Sequence, residues 1–151
     1  MAKPVLYQGQ DWGPVMRKPT ILCVDDEVNV LSGREFLLRQ HGYDVLVTTS
    51  GRESLDLLES VDVDAVILDY RMPEMMGDVV AARMKQLKPE VPIMLLSAQD
   101  RVPADALRSA DTFLSKSVPP DEFVDAVHDM VASGSPFFGR WLQSWKQRLS
   151  A

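Results

Sequence analysis

Short apolar runs alternate with longer segments of mixed polarity over residues 20–133, and this alternation restricts the fold more than any other feature of the chain. The runs have the length and composition of β-strands, and the segments between them have helical patterns. The predicted strands are Thr20–Val24, Tyr43–Thr48, Ala65–Asp69, Val91–Ser97 and Asp111–Ser115. The predicted helices are Glu27–His41, Gly51–Val61, Asp78–Leu87, Pro103–Ser109 and Pro120–Val131. Alternating strands and helices form a parallel sheet covered on both faces, so we predict an α/β domain with five parallel strands.

Composition limits the class of protein. The chain has 151 residues, of which 46% are hydrophobic and 25% charged, and this suits one soluble domain with a sizeable core. No apolar run approaches the roughly 18 residues of a membrane-spanning helix, and the N-terminus lacks the pattern of a signal peptide. Cys23 is the only cysteine, which excludes a disulfide framework and fits a reducing compartment. We therefore expect a cytoplasmic protein.

Charge divides the chain into three parts. Residues 20–133 hold 21 acids and 10 bases, residues 1–19 hold one acid and three bases, and residues 134–151 hold three bases and no acid. We predict a flexible lead-in over 1–19, an acidic domain over 20–133 and a basic amphipathic tail over 134–151. Because an acidic domain repels nucleic acid, we expect no nucleic-acid partner.

Polar residues end four of the five predicted strands. They are Asp25 and Asp26 after the first strand, Asp69 at the end of the third, Ser97 at the end of the fourth and Lys116 after the fifth. Functional groups of open parallel sheets gather beyond the carboxyl ends of the strands, so we expect these side chains to share one crevice. Each acid alone has an ordinary explanation as a helix cap or a turn residue. Three acids, a hydroxyl and an amine together favour a functional site.

Neighbouring carboxylates at such a site need a cation. Like charges about 4 Å apart repel by about 4 kcal/mol at an effective dielectric constant of about 20, so the acids must bind a divalent ion or hold protons. Carboxylate oxygens on loops suit Mg²⁺, which is bound by one or two carboxylates together with phosphate. We therefore predict a Mg²⁺ site with Asp26 and Asp69 as direct ligands.

Four motifs at these positions resemble those of response-regulator receiver domains, the phosphoacceptor modules of two-component signalling. The motifs are CVDDE (Cys23–Glu27), LDYRMPEMMG (Leu68–Gly77), LLSAQD (Leu95–Asp100) and FLSKS (Phe113–Ser117). Any one of them alone is a weak signal, whereas the four in this order and spacing are highly specific. The resemblance covers roughly residues 20–133 and implies a doubly wound, flavodoxin-like sheet with the strand order 2-1-3-4-5.

The same resemblance implies a phosphorylation site. Asp69 would accept the phosphoryl group from a sensor histidine kinase or a histidine phosphotransfer protein, with Mg²⁺ as the cofactor. Asp25, acting mostly through water, and the backbone carbonyl of Arg71 would complete the metal site beside Asp26. The protein would not be an enzyme beyond catalysing its own phosphorylation and a slow loss of the phosphoryl group.

Resemblance also implies how the phosphoryl group is held and sensed. Lys116 and Ser97 would bind phosphate oxygens, and the small Ala98 would leave room for them. In receivers the strand-four hydroxyl moves towards the phosphate while an aromatic residue turns inward, and Phe113 occupies that aromatic position. An ordinary core phenylalanine explains Phe113 equally well. The expected signalling surface, which we term the output face, consists of the predicted fourth helix, fifth strand and fifth helix, roughly residues 100–133.

Two positions depart from the family pattern. Ser117 stands where most receivers have a proline after the lysine, which leaves open whether the Lys116–Ser117 bond is cis. Arg71 is a large cation where it could overhang the phosphoryl group, and Gln99 lies opposite. We predict that these two side chains hinder the attacking water and slow self-hydrolysis.

The predicted function is that of a stand-alone response regulator that signals by protein–protein contact to an unknown downstream protein. A receiver-fold module that works without phosphorylation is the main alternative, and binding of beryllofluoride with Mg²⁺ would separate the two. An aspartyl-phosphate hydrolase is disfavoured, because that class needs an acid two residues after its nucleophile and the residue two after Asp69 is Arg71. Flavin binding has less support than either alternative, because no phosphate-binding loop rich in serine, threonine and glycine follows the first strand.

The tail has an apolar stripe at helical spacing. It consists of Phe138, Trp141, Leu142, Trp145 and Leu149. Such a stripe, with three bases around it, allows packing on the chain's own domain, contact with a second copy, a partner's groove or an anionic membrane. A homodimer through the tail or the output face is therefore one open arrangement.

Overall fold

The computed structural model describes residues 18–99 and 101–133. The strands are β1 (Thr20–Val24), β2 (Asp44–Thr48), β3 (Ala65–Asp69), β4 (Ile93–Ser97) and β5 (Thr112–Ser115). The helices are α1 (Val28–Gln40), α2 (Gly51–Ser60), α3 (Gly77–Leu87), a short 3-10 helix (Ala104–Leu107) and α4 (Pro120–Ser133). The predictions for the tail, for Asp100 and for nearly all of the lead-in fall outside the described residues.

All neighbouring strands pair in parallel, in the order β2-β1-β3-β4-β5. The predicted fold class and strand order are therefore confirmed. Every residue of β3 is buried, because this strand lies in the middle of the sheet and is covered on both faces. Its last residue, Asp69, is consequently buried as well.

Helices cover both faces of the sheet and create two apolar cores. On one face, residues of α1 and α4 such as Leu38 and Val127 pack against side chains of β1 and β3. On the other face, residues of α2 and α3 such as Leu58 and Met84 pack against the alternate side chains of the same strands, and Phe113 of β5 joins this second core. The two cores fix the sheet, and with it the positions of the residues at the strand ends.

Most element boundaries differ from the predicted ones by only one or two residues, for local reasons. After α1 the backbone reverses at Gly42, whose φ of 93° favours glycine, and the N–H of Tyr43 still bonds to the Leu38 carbonyl. Tyr43 therefore belongs to the helix stop and not to β2. At β4 the strand begins after Pro92, which has no N–H to give to the sheet.

The segment predicted as a helix over Pro103–Ser109 is a single 3-10 turn, Ala104–Leu107. The prediction of a short helix here is therefore confirmed, but its length was wrong. Ala106 is the one residue of this turn that is buried, so too little apolar surface is covered to stabilise a regular α-helix. Within residues 18–99 and 101–133, no helix combines the length and the apolar composition needed to cross a membrane.

Candidate functional site

An ammonium group joins two acids at the carboxyl edge of the sheet. Lys116 Nζ lies 3.0 Å from Asp25 Oδ2 and 3.1 Å from Asp69 Oδ1. The three residues come from the ends of β5, β1 and β3, so the parallel sheet brings together positions far apart in the sequence. The backbone N–H of Lys116 also bonds to the Ser97 carbonyl at 2.8 Å, which fixes this lysine beside β4.

Asp25 is fully buried, and both of its carboxylate oxygens have protein donors. The backbone N–H of Glu27 donates to Oδ1 at 2.9 Å, and Arg34 Nη1 donates to Oδ2 at 3.0 Å beside Lys116. Sequence reasoning missed Arg34, which lies on α1 with a side chain 11% exposed. The sequence held only a weak signal for this contact, namely that the helix after Asp25 carries a basic residue.

Electrostatics keep this acid and the lysine ionised. Burial acts to raise the pKa of Asp25, but the hydrogen bonds from Glu27 N–H and Lys116 and the charge of Arg34 outweigh it and hold the pKa below 3.8. Burial likewise acts to lower the pKa of Lys116, but the carboxylates of Asp25 and Asp69 raise it above its ordinary 10.5. Asp25 therefore carries its negative charge across the physiological pH range.

Asp69 has the opposite perturbation. Its side chain is almost fully buried, and this burial, together with the negative charge of Asp25, raises its pKa from 3.8 to about 6. Contacts from Lys116 and from the backbone N–H of Arg71, at 3.4 Å, oppose the shift but do not cancel it. The ionised form of the Asp69 carboxyl group is thus less stable in the folded protein than it would be in water.

The loop after Asp69 lies closely against that residue's own backbone. The N–H of Gly77 donates to the Tyr70 carbonyl at 2.7 Å, and a Cβ atom placed on Gly77 would lie 2.2 Å from the Asp69 carbonyl oxygen. No residue other than glycine fits at position 77 without moving the backbone. Within this loop Met72 is buried, which anchors the loop on the second core.

Three consecutive acids could hold a cation at this edge. Ligand oxygens of Asp25, Asp26 and Glu27 lie within 4.8 Å of one another. The Asp26 carboxylate is exposed and has no hydrogen bond or ion pair with any residue of 18–99 or 101–133. Asp69 is not part of this group of three. An all-oxygen donor set, open to solvent on one side and next to a buried acid, fits Mg²⁺.

The remaining predicted site residues lie in β4 or β5, or shortly after β3 or β4. Ser97 is buried, and its Oγ accepts a hydrogen bond from the N–H of Gln99 at 3.0 Å. The side chains of Ala98, Gln99 and Arg71 are exposed. Phe113 is buried in the second core, with 1% of its surface exposed.

The loop after β5 shows how Ser117 is accommodated. No peptide bond is cis within the described residues, so the Lys116–Ser117 bond is trans. The hydroxyl groups of Ser115 and Ser117 lie 2.7 Å apart, and Ser115 Oγ also accepts from the Ser117 N–H at 3.2 Å. These two bonds hold the turn in a short serine-based loop.

Comparison with known proteins identifies the family. The family model of the response regulator receiver domain matches residues 21–128, so the chain belongs to this family. Members of the family are phosphoacceptors and not classical enzymes, they bind Mg²⁺ at the acidic pocket, and they interact with histidine kinases or phosphotransfer proteins.

Curated relatives are longer proteins. Transcriptional regulatory protein GlrR of Escherichia coli K12 is 33% identical over 120 residues, which cover 77% of this chain and 27% of that protein. Response regulator SaeR of Staphylococcus epidermidis RP62A is 34% identical over 116 residues, covering 74% of this chain and 50% of SaeR. The chain therefore matches between a quarter and a half of the length of these relatives.

Solved structures of receiver domains have the same fold as this chain. Response regulator TrrA of Thermotoga maritima, determined in complex with Mg²⁺-BeF, has 33% identity and a TM-score of 0.71 over 74% of this chain and 98% of that one. A CheY-like receiver domain protein from Methanospirillum hungatei JF-1 has 20% identity and a TM-score of 0.72, over 78% and 96% of the two chains. At that lower identity the likeness concerns the fold alone.

Proposed function

We propose that this chain accepts a phosphoryl group on Asp69 from a histidine kinase or a histidine phosphotransfer protein. The observation that carries the proposal is the position of Lys116 Nζ, within 3.1 Å of a carboxylate oxygen on each of Asp25 and Asp69. A cation shared by two buried acids is an expensive arrangement for stability alone, because all three charges lose water. A phosphate oxygen bonded to Asp69 would come within reach of the same ammonium group.

The transfer forms an O–P bond at a carboxylate oxygen of Asp69 and breaks the N–P bond of the donor's phosphohistidine. The electron pair of the broken bond stays on the imidazole nitrogen, which then takes a proton from water. Asp69 must be ionised to attack, and a pKa of about 6 leaves it mostly ionised near neutral pH. Lys116 offsets the negative charge that accumulates as the phosphoryl group approaches.

The acids at the end of β1 would hold the metal ion. Bound Mg²⁺ would neutralise charge on the transferring phosphoryl group and help to orient it. The proposed direct ligands are Asp26, Asp69 and the backbone carbonyl of Arg71. Asp25 would act through water, which is supported by the protein donors that already occupy both of its oxygens. Asp26 has no such partner among the described residues and is accessible to a metal ion.

Phosphate binding would change the contacts of Ser97. Its Oγ now accepts from Gln99 N–H, and it would turn to donate its proton to a phosphate oxygen. Ala98 leaves space for that oxygen, since it has no side-chain atoms beyond Cβ. Phe113 already points into the second core, so a two-state role for it requires an outward conformation in the unphosphorylated protein.

Signalling would use the output face. In the described structure this face consists of residues 101–133, with the 3-10 turn, β5 and α4. Lys116 links it to the site, because its backbone continues from β5 while its side chain reaches Asp69. A stand-alone organisation, the identity of the downstream protein and a homodimer through this face or the tail stay predictions.

Intact mass spectrometry tests the phosphoacceptor role. The full chain is incubated with acetyl phosphate and Mg²⁺, alongside Asp69→Asn and the control Asp44→Asn, which removes an exposed acid at the start of β2. We expect the parent protein and Asp44→Asn to gain the mass of one phosphoryl group, and Asp69→Asn to gain none. Addition of a chelator before acetyl phosphate should prevent the gain.

Two results would contradict the proposal. Labelling of Asp69→Asn to the level of the parent protein would place the phosphoryl group elsewhere. Absence of labelling in the parent protein, together with no binding of beryllofluoride, would favour an interaction module that works without phosphorylation.

A further inference from the structure

Arg34 is a second cation on an acid that Lys116 already contacts. Its Nη1 donates to Asp25 Oδ2 at 3.0 Å, and Lys116 Nζ donates to the same oxygen at 3.0 Å. The Arg34 side chain is 11% exposed and the Asp25 side chain is fully buried, so the pair lies mostly away from water. The ion pair is therefore little screened by solvent and salt.

Lys116 and Arg34 differ in how readily each could leave Asp25. Lys116 is shared between Asp25 and Asp69, and a phosphoryl group on Asp69 would offer it a stronger partner. Arg34 contacts Asp25 and projects from α1, a helix of 13 residues that is fixed on the first core by Leu31 and Leu38. The guanidinium group keeps its charge at every physiological pH. Asp25 thus retains one cation whatever Lys116 does.

We propose that Arg34 is a positioning residue that acts as a permanent counter-ion of Asp25 and sets the Mg²⁺ affinity of the site. This inference rests on the proposed function. Arg34 competes with a metal ion because it places a positive charge beside the acids at the end of β1.

The direction of the effect follows from this competition. Removal of the Arg34 charge leaves the three acids Asp25, Asp26 and Glu27 with one cation fewer, so Mg²⁺ should bind more tightly. For a unit charge several Å from a divalent ion near the protein surface, we expect an increase in affinity of about three- to tenfold. A merely structural role predicts the reverse, because a loosened Asp25 would weaken the site.

The experiment is titration calorimetry of the full chain with MgCl₂ in the absence of any phosphodonor. The variants are Arg34→Gln and Arg34→Met, which remove the charge and keep much of the side-chain length, and Arg34→Lys, which keeps the charge. Arg39→Gln is the matched control, because Arg39 lies on the same helix and pairs with Glu35 at the surface, away from the acids. Far-ultraviolet circular dichroism checks that each variant is folded.

We expect tighter Mg²⁺ binding in Arg34→Gln and Arg34→Met, and an affinity near that of the parent protein in Arg34→Lys and Arg39→Gln. Unchanged or weaker binding in whichever neutral variant folds would overturn the inference, even if Asp69 is phosphorylated normally. Equal tightening in Arg39→Gln would also overturn it, because net charge alone would then be responsible. A parent protein that neither binds Mg²⁺ nor accepts a phosphoryl group would instead refute the proposed function, and the inference with it.

Discussion

A pair of glycine substitutions tests how closely the loop after Asp69 is packed. In Gly77→Ala, the added Cβ would lie 2.2 Å from the Asp69 carbonyl oxygen and 2.8 Å from Tyr70 Cα. Both contacts are with backbone, so no side chain can rotate away to relieve them. In Gly33→Ala, at the middle of α1, the added Cβ would meet nothing within 4 Å.

The magnitudes follow from these distances. A carbon–oxygen contact is normally more than about 3 Å, so Gly77→Ala forces the loop to move by about 1 Å, and overpacking against backbone should cost about 2–4 kcal/mol of the free energy of unfolding. Gly33→Ala should stabilise the protein by about 0.5–1 kcal/mol, because alanine favours the helix and nothing obstructs it. The same glycine-to-alanine change is thus expected to lower the free energy of unfolding at position 77 and to raise it at position 33.

Urea unfolding followed by far-ultraviolet circular dichroism measures both effects. With a urea m-value of about 1–3 kcal/mol per molar, the two midpoints should differ by about 1 M or more. Phosphorylation of Gly77→Ala by acetyl phosphate should also be slower, because the displaced loop carries the Asp69 backbone with it. A Gly77→Ala midpoint within about 0.3 M of the parent value would refute the reasoning, since it would mean that the loop moves freely.

Three further predictions concern single groups. In metal-free buffer Asp69→Asn should be more stable than the parent protein by on the order of 2 kcal/mol at pH 8. The folded pKa of Asp69, about 6, lies above the ordinary 3.8, so the neutral carboxyl group is favoured by folding. The parent protein therefore keeps its full stability below pH 3.8 and loses stability as the pH rises through 6, whereas the variant does not. Urea midpoints from pH 5 to pH 8 measure the difference, and a gap that stays constant with pH would show that the Asp69 carboxylate is not its source. Arg71→Ala and Arg71→Asn should lose the acyl phosphate about three- to tenfold faster, equivalent to about 1 kcal/mol of barrier, and an unchanged half-life in both would disprove a shielding role. Cys23, buried and with its pKa raised by burial to about 12, should resist thiol reagents at pH 8 until urea unfolds the protein, whereas rapid labelling of the native state would show that β1 is accessible.

The sequence predicted the sheet well because the evidence for it is local. β3 was predicted with its observed limits, since four apolar residues followed by an acid mark both the strand and its end. Strand ends also located the lysine and the two buried acids, because a parallel sheet places all carboxyl ends on one edge. The short helix after β4 was predicted too long and its 3-10 type was not foreseen, because its length and burial are set by tertiary packing.

Contacts between side chains could not be obtained in the same way. That Arg34 would reach Asp25 depends on the rotation of α1 about its axis, which the two buried leucines of that helix determine. The pKa of Asp69 depends on its burial and on its distance from Asp25, and neither quantity is written in a local pattern. The contact between the Ser115 and Ser117 hydroxyls likewise depends on the path of the backbone after β5.

Lys116 is bonded to three strands at once: its amide to Ser97 of β4, and its side chain to the acids at the ends of β1 and β3. In the proposed function, Lys116 would therefore take part both in binding the phosphoryl group and in transmitting its presence to the output face. An engineer who wished to retune one of these properties at this position would alter the other as well. Independent adjustment would have to begin from residues that contact only one of the partners of Lys116, such as Arg34, which contacts Asp25, or Ser115, which is paired with Ser97 in the sheet.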